Sequence, residues 1–246
     1  MNAIEHTGAN SAVNTVAEFE HLYVRVRDAE GRMLTDEQVA ALPYVEKSHP
    51  LRKEWKIRKR SANRLLAWLQ QKKKPLNILE IGCGNGWLSA MLADIPASTV
   101  TGLDVNRVEI AQASRVFKKP RLEFIWDDFK PGLFLEEKFD VIVFAASMQY
   151  FKPLAGILRD ALACLAPDGE IHITDTHFYQ VDELAAAAGR TKNYYAGLGY
   201  PEMSDHYYQH CIDDIRAFNN RILVNPRSAI NRLLKRKPFY WIVITQ

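Results

Sequence analysis

Leu79-Glu80-Ile81-Gly82-Cys83-Gly84-Asn85-Gly86 carries an apolar run straight into three glycines at alternate positions, and a helical pattern follows. At the carboxyl end of a strand such glycines let backbone pass close to a ligand and adopt positive φ angles, both of which side chains obstruct. The dinucleotide fingerprint asks for G-x-G-x-x-G, and counted from Gly82 its third glycine falls on Trp87, whose indole would block the approach of a pyrophosphate. What stands there is E-x-G-x-G-x-G. A carboxylate at Glu80 repels a phosphate and tolerates a positively charged ligand. The run Thr99 to Asp104 ends in an acid 22 positions after Gly82, where a carboxylate accepts hydrogen bonds from two ribose hydroxyls. The alternative for Asp104 is an exposed strand-end acid or the cap of a helix over 106–117.

These residues resemble class I, Rossmann-like S-adenosylmethionine-dependent methyltransferases of the small-molecule type, over about residues 75–175. The resemblance implies that Glu80, Gly82, Cys83, Gly84 and Gly86 wrap the methionine and ribose of S-adenosyl-L-methionine (product S-adenosyl-L-homocysteine), with Asp104 and Val105 on the ribose. It aligns Asp128 of Trp126-Asp127-Asp128-Phe129 with the acid beside the adenine, holds Asp127 in reserve, and leaves Trp126 or Phe129 to cover the ring. Ala145 to Phe151 becomes the loop facing the transferable methyl. It lacks the N-P-P-Y tetrapeptide of nucleic-acid amine methylases, and the chain has no Pro-Cys pair for attack on a pyrimidine carbon. Gln149 and Tyr150 are the residues expected to orient the substrate. Transfer to an activated carbon asks mainly for alignment and desolvation. If the acceptor is a hydroxyl a base helps, and His177, just past the fifth strand, titrates in the right range when unperturbed.

The elements that must position these groups alternate between short apolar runs and helical stretches, the pattern of parallel strands joined by crossovers. Strands are expected at 77–81, 99–104, 122–126, 140–145 and 170–175, and helices near 86–94, 106–117 and 153–165. Ala166-Pro167-Asp168-Gly169 reads as a turn before the fifth strand. A helix near 211–219, a strand at 221–225, a basic helix at 227–236 and a strand at 239–244 close the chain. The expected fold is therefore α/β: a doubly wound, mostly parallel seven-stranded sheet in the order 3-2-1-4-5-7-6 with the last strand antiparallel. Ahead of it, residues 1–17 read as a disordered leader and 18–74 as an extension. Within that extension 21–28 alternate like a strand, Thr35 with Gln38 forms a capping box, and a helix between 49 and 74 stops at Pro75. Residues 176–210, rich in tyrosine and histidine, suit neither a continuous strand nor a helix and are expected to roof the substrate cavity.

Composition narrows the alternatives. The chain has 246 residues, 48% of them hydrophobic and 25% charged, and no apolar run approaches the ~20 residues of a membrane span. A cytoplasmic protein with no membrane partner is the expectation. Three widely spaced cysteines argue against a disulfide framework. The i, i+4 pair His206 and His210, which Cys211 adjoins, raises a metal site, but with no H-E-x-x-H pattern and no third ligand apparent beyond these neighbours none is expected. The net charge of +3 is small, but basic residues crowd at 52–60, 72–74 and 232–237. They leave open an RNA methyltransferase against the favoured small-molecule enzyme, and a third reading is a regulatory protein that binds the donor without turnover. Oligomeric state does not follow from these residues.

Overall fold

A computed structural model describes residues 8–134, 137–233 and 239–246, with side chains from residue 18 onward. Three helices lead into the fold: α1 (Gly8–Ala29), α2 (Asp36–Ala41) and α3 (Arg52–Gln70). The first corrects two expectations, since residues 8–17 of the supposed leader are helical and 21–28 are helix rather than strand; residues 1–7 lie outside the described part. Alternation at Leu22, Val24 and Val26 imitates a strand. Phe19, Leu22, Tyr23 and Val26 nevertheless recur at i, i+3, i+4 and i+7, and that stripe meets the Tyr195 and Met203 side chains. Thr35 and Gln38 form the capping box that opens α2.

The central layer is β1 (Asn77–Ile81), β2 (Thr99–Asp104), β3 (Leu122–Trp126), β4 (Phe139–Ala145) and β5 (Leu165–Thr174), crossed by α4 (Trp87–Leu92), α5 (Arg107–Val116) and α6 (Leu154–Ala163). Beyond it come a two-strand ladder of β6 (Phe178–Tyr179) with β7 (His210–Cys211), helix α7 (Leu184–Gly197), and the edge strands β8 (Asn219–Val224) and β9 (Trp241–Thr245) around α8 (Ala229–Leu233). The large sheet runs β3-β2-β1-β4-β5-β9-β8, parallel except that β9 is antiparallel to both neighbours. This is the expected order. β1 and β4 are buried on both faces, as central parallel strands must be. On one face Ile78, Val100 and Val143 pack with Trp55, Leu65 and Leu69 of α3. On the other, Leu79, Ile142 and Phe144 pack with Leu154 and Leu158 of α6.

Four further expectations change. Ala166 to Gly169 lies inside β5: ladder partners jump from Phe139 and Leu165 to Val141 and Glu170, and Asp168 takes φ +61°, so the turn residues form an irregularity within the strand. The aromatic stretch contains a regular helix, α7, which opens with the helix-forming run Leu184 to Ala188. Residues 212–217 make a tight 3₁₀ turn in place of the expected helix. Of the basic helix at 227–236, only Ala229–Leu233 is helical within the described residues; 234–236 fall outside them.

Candidate active site

The glycine turn caps the carboxyl end of β1. Gly82 (φ +75°) and Cys83 donate their N–H groups to the Leu103 carbonyl at 2.8 and 3.1 Å, which ties the turn to β2. A methyl group on Gly82 would sit 2.4 Å from Ser147 Cβ, and the Ser147 hydroxyl donates to the Ile81 carbonyl at 2.7 Å. Gly82 thus lets the loop after β4 close against β1. Gly86, also at φ +75°, packs on Phe124 and Ala113 and lines neither cavity described below.

Asp104 holds two turns at once: Oδ2 accepts the Gly84 N–H at 2.7 Å and Oδ1 the Asn106 N–H at 2.8 Å. The cap of α5 is Asn106, whose Oδ1 accepts from the Val108 and Glu109 N–H groups at 3.0 and 3.2 Å, so the helix-cap alternative for Asp104 falls away. Burial raises the Asp104 pKa, and the two backbone hydrogen bonds work against that rise.

Two adjoining cavities open from this turn. The smaller, about 280 Å³, is lined by Asp104, Val105, Asp127, Asp128 and Phe129, with Phe19 of α1 closing it. Phe129 is buried there, whereas Trp126 is half exposed, outside the cavity and beneath the Arg107 guanidinium. Burial also raises the Asp128 pKa. The larger cavity, about 430 Å³, begins at Glu80, Cys83 and Gly84, passes Ala145, Gln149 and Tyr150, and ends under tyrosines of the roof. Tyr23, Gly82, Gly84, Ala146 and Tyr150 border both. Gln149 is fixed by its Nε2 on the Ala146 carbonyl at 2.6 Å, while the Tyr150 ring meets Tyr23 and Tyr207 edge-on. His177 lines neither cavity. Its ring packs on Phe239 at 4.6 Å, and burial with the nearby Arg190 charge lowers its pKa, so the structure does not bring the expected base to the site. His210 bonds the Met148 carbonyl at 2.9 Å, and among the described residues no three metal-ligating side chains converge.

Several site residues escaped the sequence reading because they sit on elements it misassigned. Arg27, on α1, faces the larger cavity with no carboxylate nearer than Glu30 at 3.9 Å and Glu109 at 4.0 Å, and its buried Nε has no partner. Burial alone would lower its pKa; attraction from Tyr23 and Glu109 outweighs this, so it stays charged. Helix α1 is anchored by Glu20, which accepts the Arg107 N–H at 2.6 Å at the start of α5. From α7, within the stretch expected to form the roof, come Tyr194 and Tyr195, together with Arg190, which the sequence did not single out.

Glu80 is buried with its carboxylate accepting from Ser89, and desolvation pushes its pKa up to about 8, the Ser89 bond opposing. Unfolded, the same group titrates near 4.5, so between those values the folded state binds more protons and stability falls as pH rises. Glu80→Gln is expected to flatten the loss of Tm of the unliganded protein between about pH 5 and about pH 8. An unchanged slope in thermal melts across that range would show that Glu80 does not carry the shifted proton.

A sequence family described as a methyltransferase domain matches residues 52–234. The chain belongs to that family. Curated relatives of this methyltransferase-domain protein include the malonyl-[acyl-carrier protein] O-methyltransferases of Acetivibrio thermocellus (33% identical over 46% of this chain and 41% of the relative) and Bacillus cereus (30% over 55% and 52%). The chain thus spans about half the length of these relatives. Among solved structures, magnesium protoporphyrin IX methyltransferase from Synechocystis PCC 6803 with bound SAH superposes at a TM-score of 0.57 and 16% identity, covering 92% of this chain and 100% of that one. The plantazolicin methyltransferase in complex with an analog and SAH does so at 0.54 and 18%, covering 95% and 99%. At those identities the likeness is one of fold. Helix α1, with Tyr23 and Arg27, precedes the family match. No helix among the described residues is long and apolar enough to cross a membrane.

Proposed function

We propose that this methyltransferase-domain protein transfers the methyl group of S-adenosylmethionine to the oxygen or nitrogen of a small-molecule acceptor. The observation that carries the reading is the continuity of two unlike cavities through Gly82 and Gly84. One is acid- and phenylalanine-lined, for an adenosine; the other is roofed by tyrosines, for an acceptor. The residues present fit the donor. Asp104 keeps lone pairs for ribose hydroxyls, Phe129 offers an apolar face, and Asp127 or Asp128 offers a carboxylate for an exocyclic amine. At the methionine end, Arg27 Nε and Asn85 Oδ1 are a buried donor and a buried acceptor without partners, matched to a carboxylate and an ammonium. Glu80 stands beside them to receive positive charge. When bound, the donor supplies a methyl carbon already activated by its sulfonium. The chain's own task is to align and desolvate: Gln149 and Tyr150 border the approach, and α1 and α7 close the roof from above.

The names of the relatives, which are methyltransferases, support this reading. A small acceptor is favoured over RNA because Arg58, in the basic stretch 52–60, turns into the cavity and pairs with Glu54 at 3.0 Å instead of joining a surface track. The three buried free cysteines suit a cytoplasmic location. Thermal melts with S-adenosylhomocysteine test the proposal. Ligand at a hundred times its Kd adds about 2.7 kcal/mol of stability, a rise of several degrees. Arg27→Met is expected to need about tenfold more ligand for the same rise, equivalent to about 1.4 kcal/mol. A melting temperature indifferent to the ligand would overturn the reading; an unaltered requirement in Arg27→Met would remove Arg27 from the donor site.

A further inference from the structure

One ion pair in the larger cavity is left open. Glu109, in the first turn of α5, is 6% exposed, and its Oε2 lies 3.0 Å from where a Gly84 Cβ would be, which puts the carboxylate beside the glycine turn. The cation facing it is Arg27 of α1, whose Nη2 stands 4.0 Å from Glu109 Oε1, beyond hydrogen-bond reach. Arg27 comes no closer than 3.9 Å to Glu30, and its buried Nε has no partner. Among the described residues neither side chain makes a hydrogen bond. Opposite charges withdrawn from water normally close on each other and fill their remaining donors and acceptors, because the attraction alone does not repay the lost hydration. Burial accordingly raises the Glu109 pKa, with Arg27 opposing the rise.

A small zwitterion completes such a pair, and the donor ends in one. An α-carboxylate on Arg27 fills Nε and Nη2 together. An α-ammonium on Glu109 supplies the missing donors, with Asn85 Oδ1, also buried and unpartnered, accepting another of its N–H bonds. The head group is neutral overall and so is the pair, so the match is between two opposed dipoles and needs no excess of charge. Its place agrees as well: Arg27, Asn85 and Glu109 line the larger cavity together with Gly82 and Gly84, where the adenosine cavity joins it. We propose that Arg27 and Glu109 form a clamp for the α-amino-acid head of the donor, carboxylate on Arg27 and ammonium on Glu109, and that the bound head group bolts α1 to α5. This rests on the methyltransferase reading above and deepens it, by adding Glu109 to the donor site and naming what that site selects.

Half of the clamp lies on α1, ahead of the residues that match the family. The apolar stripe of α1 packs with Tyr195 and Met203 in a cluster of its own, apart from the two cores on the faces of the sheet. What ties α1 to α5 is the Glu20 bond to the Arg107 N–H and the open pair. A head group bonded to both sides closes the pair. A nucleoside thioether without the amino acid fills the adenosine cavity and leaves the buried groups of the clamp unsatisfied, so the site discriminates against it.

Calorimetry on the full-length protein tests the clamp with four ligands: S-adenosylhomocysteine, its decarboxylated amine, its deaminated acid, and 5′-methylthioadenosine, which carries neither group. Glu109→Gln should weaken S-adenosylhomocysteine and the amine at least about tenfold while leaving the acid and 5′-methylthioadenosine within about twofold. Arg27→Met should weaken S-adenosylhomocysteine and the acid and spare the other two. In the parent protein, hydrogen exchange over residues 18–29 should slow more with S-adenosylhomocysteine than with 5′-methylthioadenosine at equal saturation. Equal losses for all four ligands in Glu109→Gln, as a purely structural ion pair would give, would overturn the inference. So would unchanged S-adenosylhomocysteine affinity in that variant, or equal protection of α1 by both nucleosides. A parent protein that binds none of the four is a different result: it removes the donor reading on which the clamp stands.

Discussion

Gly82→Ala is expected to lower stability by about 2–5 kcal/mol and to take S-adenosylhomocysteine binding below detection, the largest effect of any single methyl group in the site. Two costs add. The backbone at φ +75° is unfavourable for any residue with a Cβ, and that Cβ would lie 2.4 Å from Ser147 Cβ. Ser147 has nowhere easy to go, because it is 3% exposed and its hydroxyl holds the Ile81 carbonyl. Relief therefore requires the end of β1 and the loop after β4 to part, which opens the floor shared by both cavities. Combining Gly82→Ala with Ser147→Gly removes the contact but not the strain, so the pair should recover part of the lost stability. A single variant that melts and binds like the parent would mean that the closure at Gly82 is not what shapes the cleft.

Asp104→Ala is the second. Its carboxylate satisfies the Gly84 and Asn106 N–H groups from one half-buried position, so alanine leaves two backbone donors without that partner. Loss of charged hydrogen bonds to a ribose predicts weaker S-adenosylhomocysteine binding by about 1.5–3 kcal/mol. The folded variant should also melt lower, since the glycine turn loses one of its three hydrogen bonds to β2, those from the Gly82 and Cys83 N–H groups to Leu103 remaining. Calorimetry and thermal melts on the same sample separate the two effects. Unchanged affinity in a folded Asp104→Ala protein would place the ribose elsewhere.

The strands and the glycine turn were readable because each rests on local chemistry. β1, β2 and β3 begin and end where their apolar runs do, and Glu80 to Gly86 satisfies a spacing that few other turns need. Asp104 was legible as to place but not as to work, because its bond to the Gly84 N–H crosses between segments. Helix α1 was misread since Leu22, Val24 and Val26 fit a two-residue period as well as Phe19, Leu22, Tyr23 and Val26 fit a helical one. Only packing against Tyr195 and Met203 decides between them. That error hid Tyr23 and Arg27. Arg190 was missed for another reason: nothing local separates it from a solvated arginine until α7 carries it over the cavity. The run Leu184 to Ala188 was the signal for that helix, outweighed by the aromatic residues that follow it.

Isothermal titration of the unmodified protein with S-adenosylhomocysteine and, separately, with NAD⁺ tests the central claim most directly. The glycine turn bounded by Glu80 and followed by Trp87 predicts one S-adenosylhomocysteine bound per chain and no heat from the dinucleotide. Saturable NAD⁺ binding with S-adenosylhomocysteine ignored would contradict it.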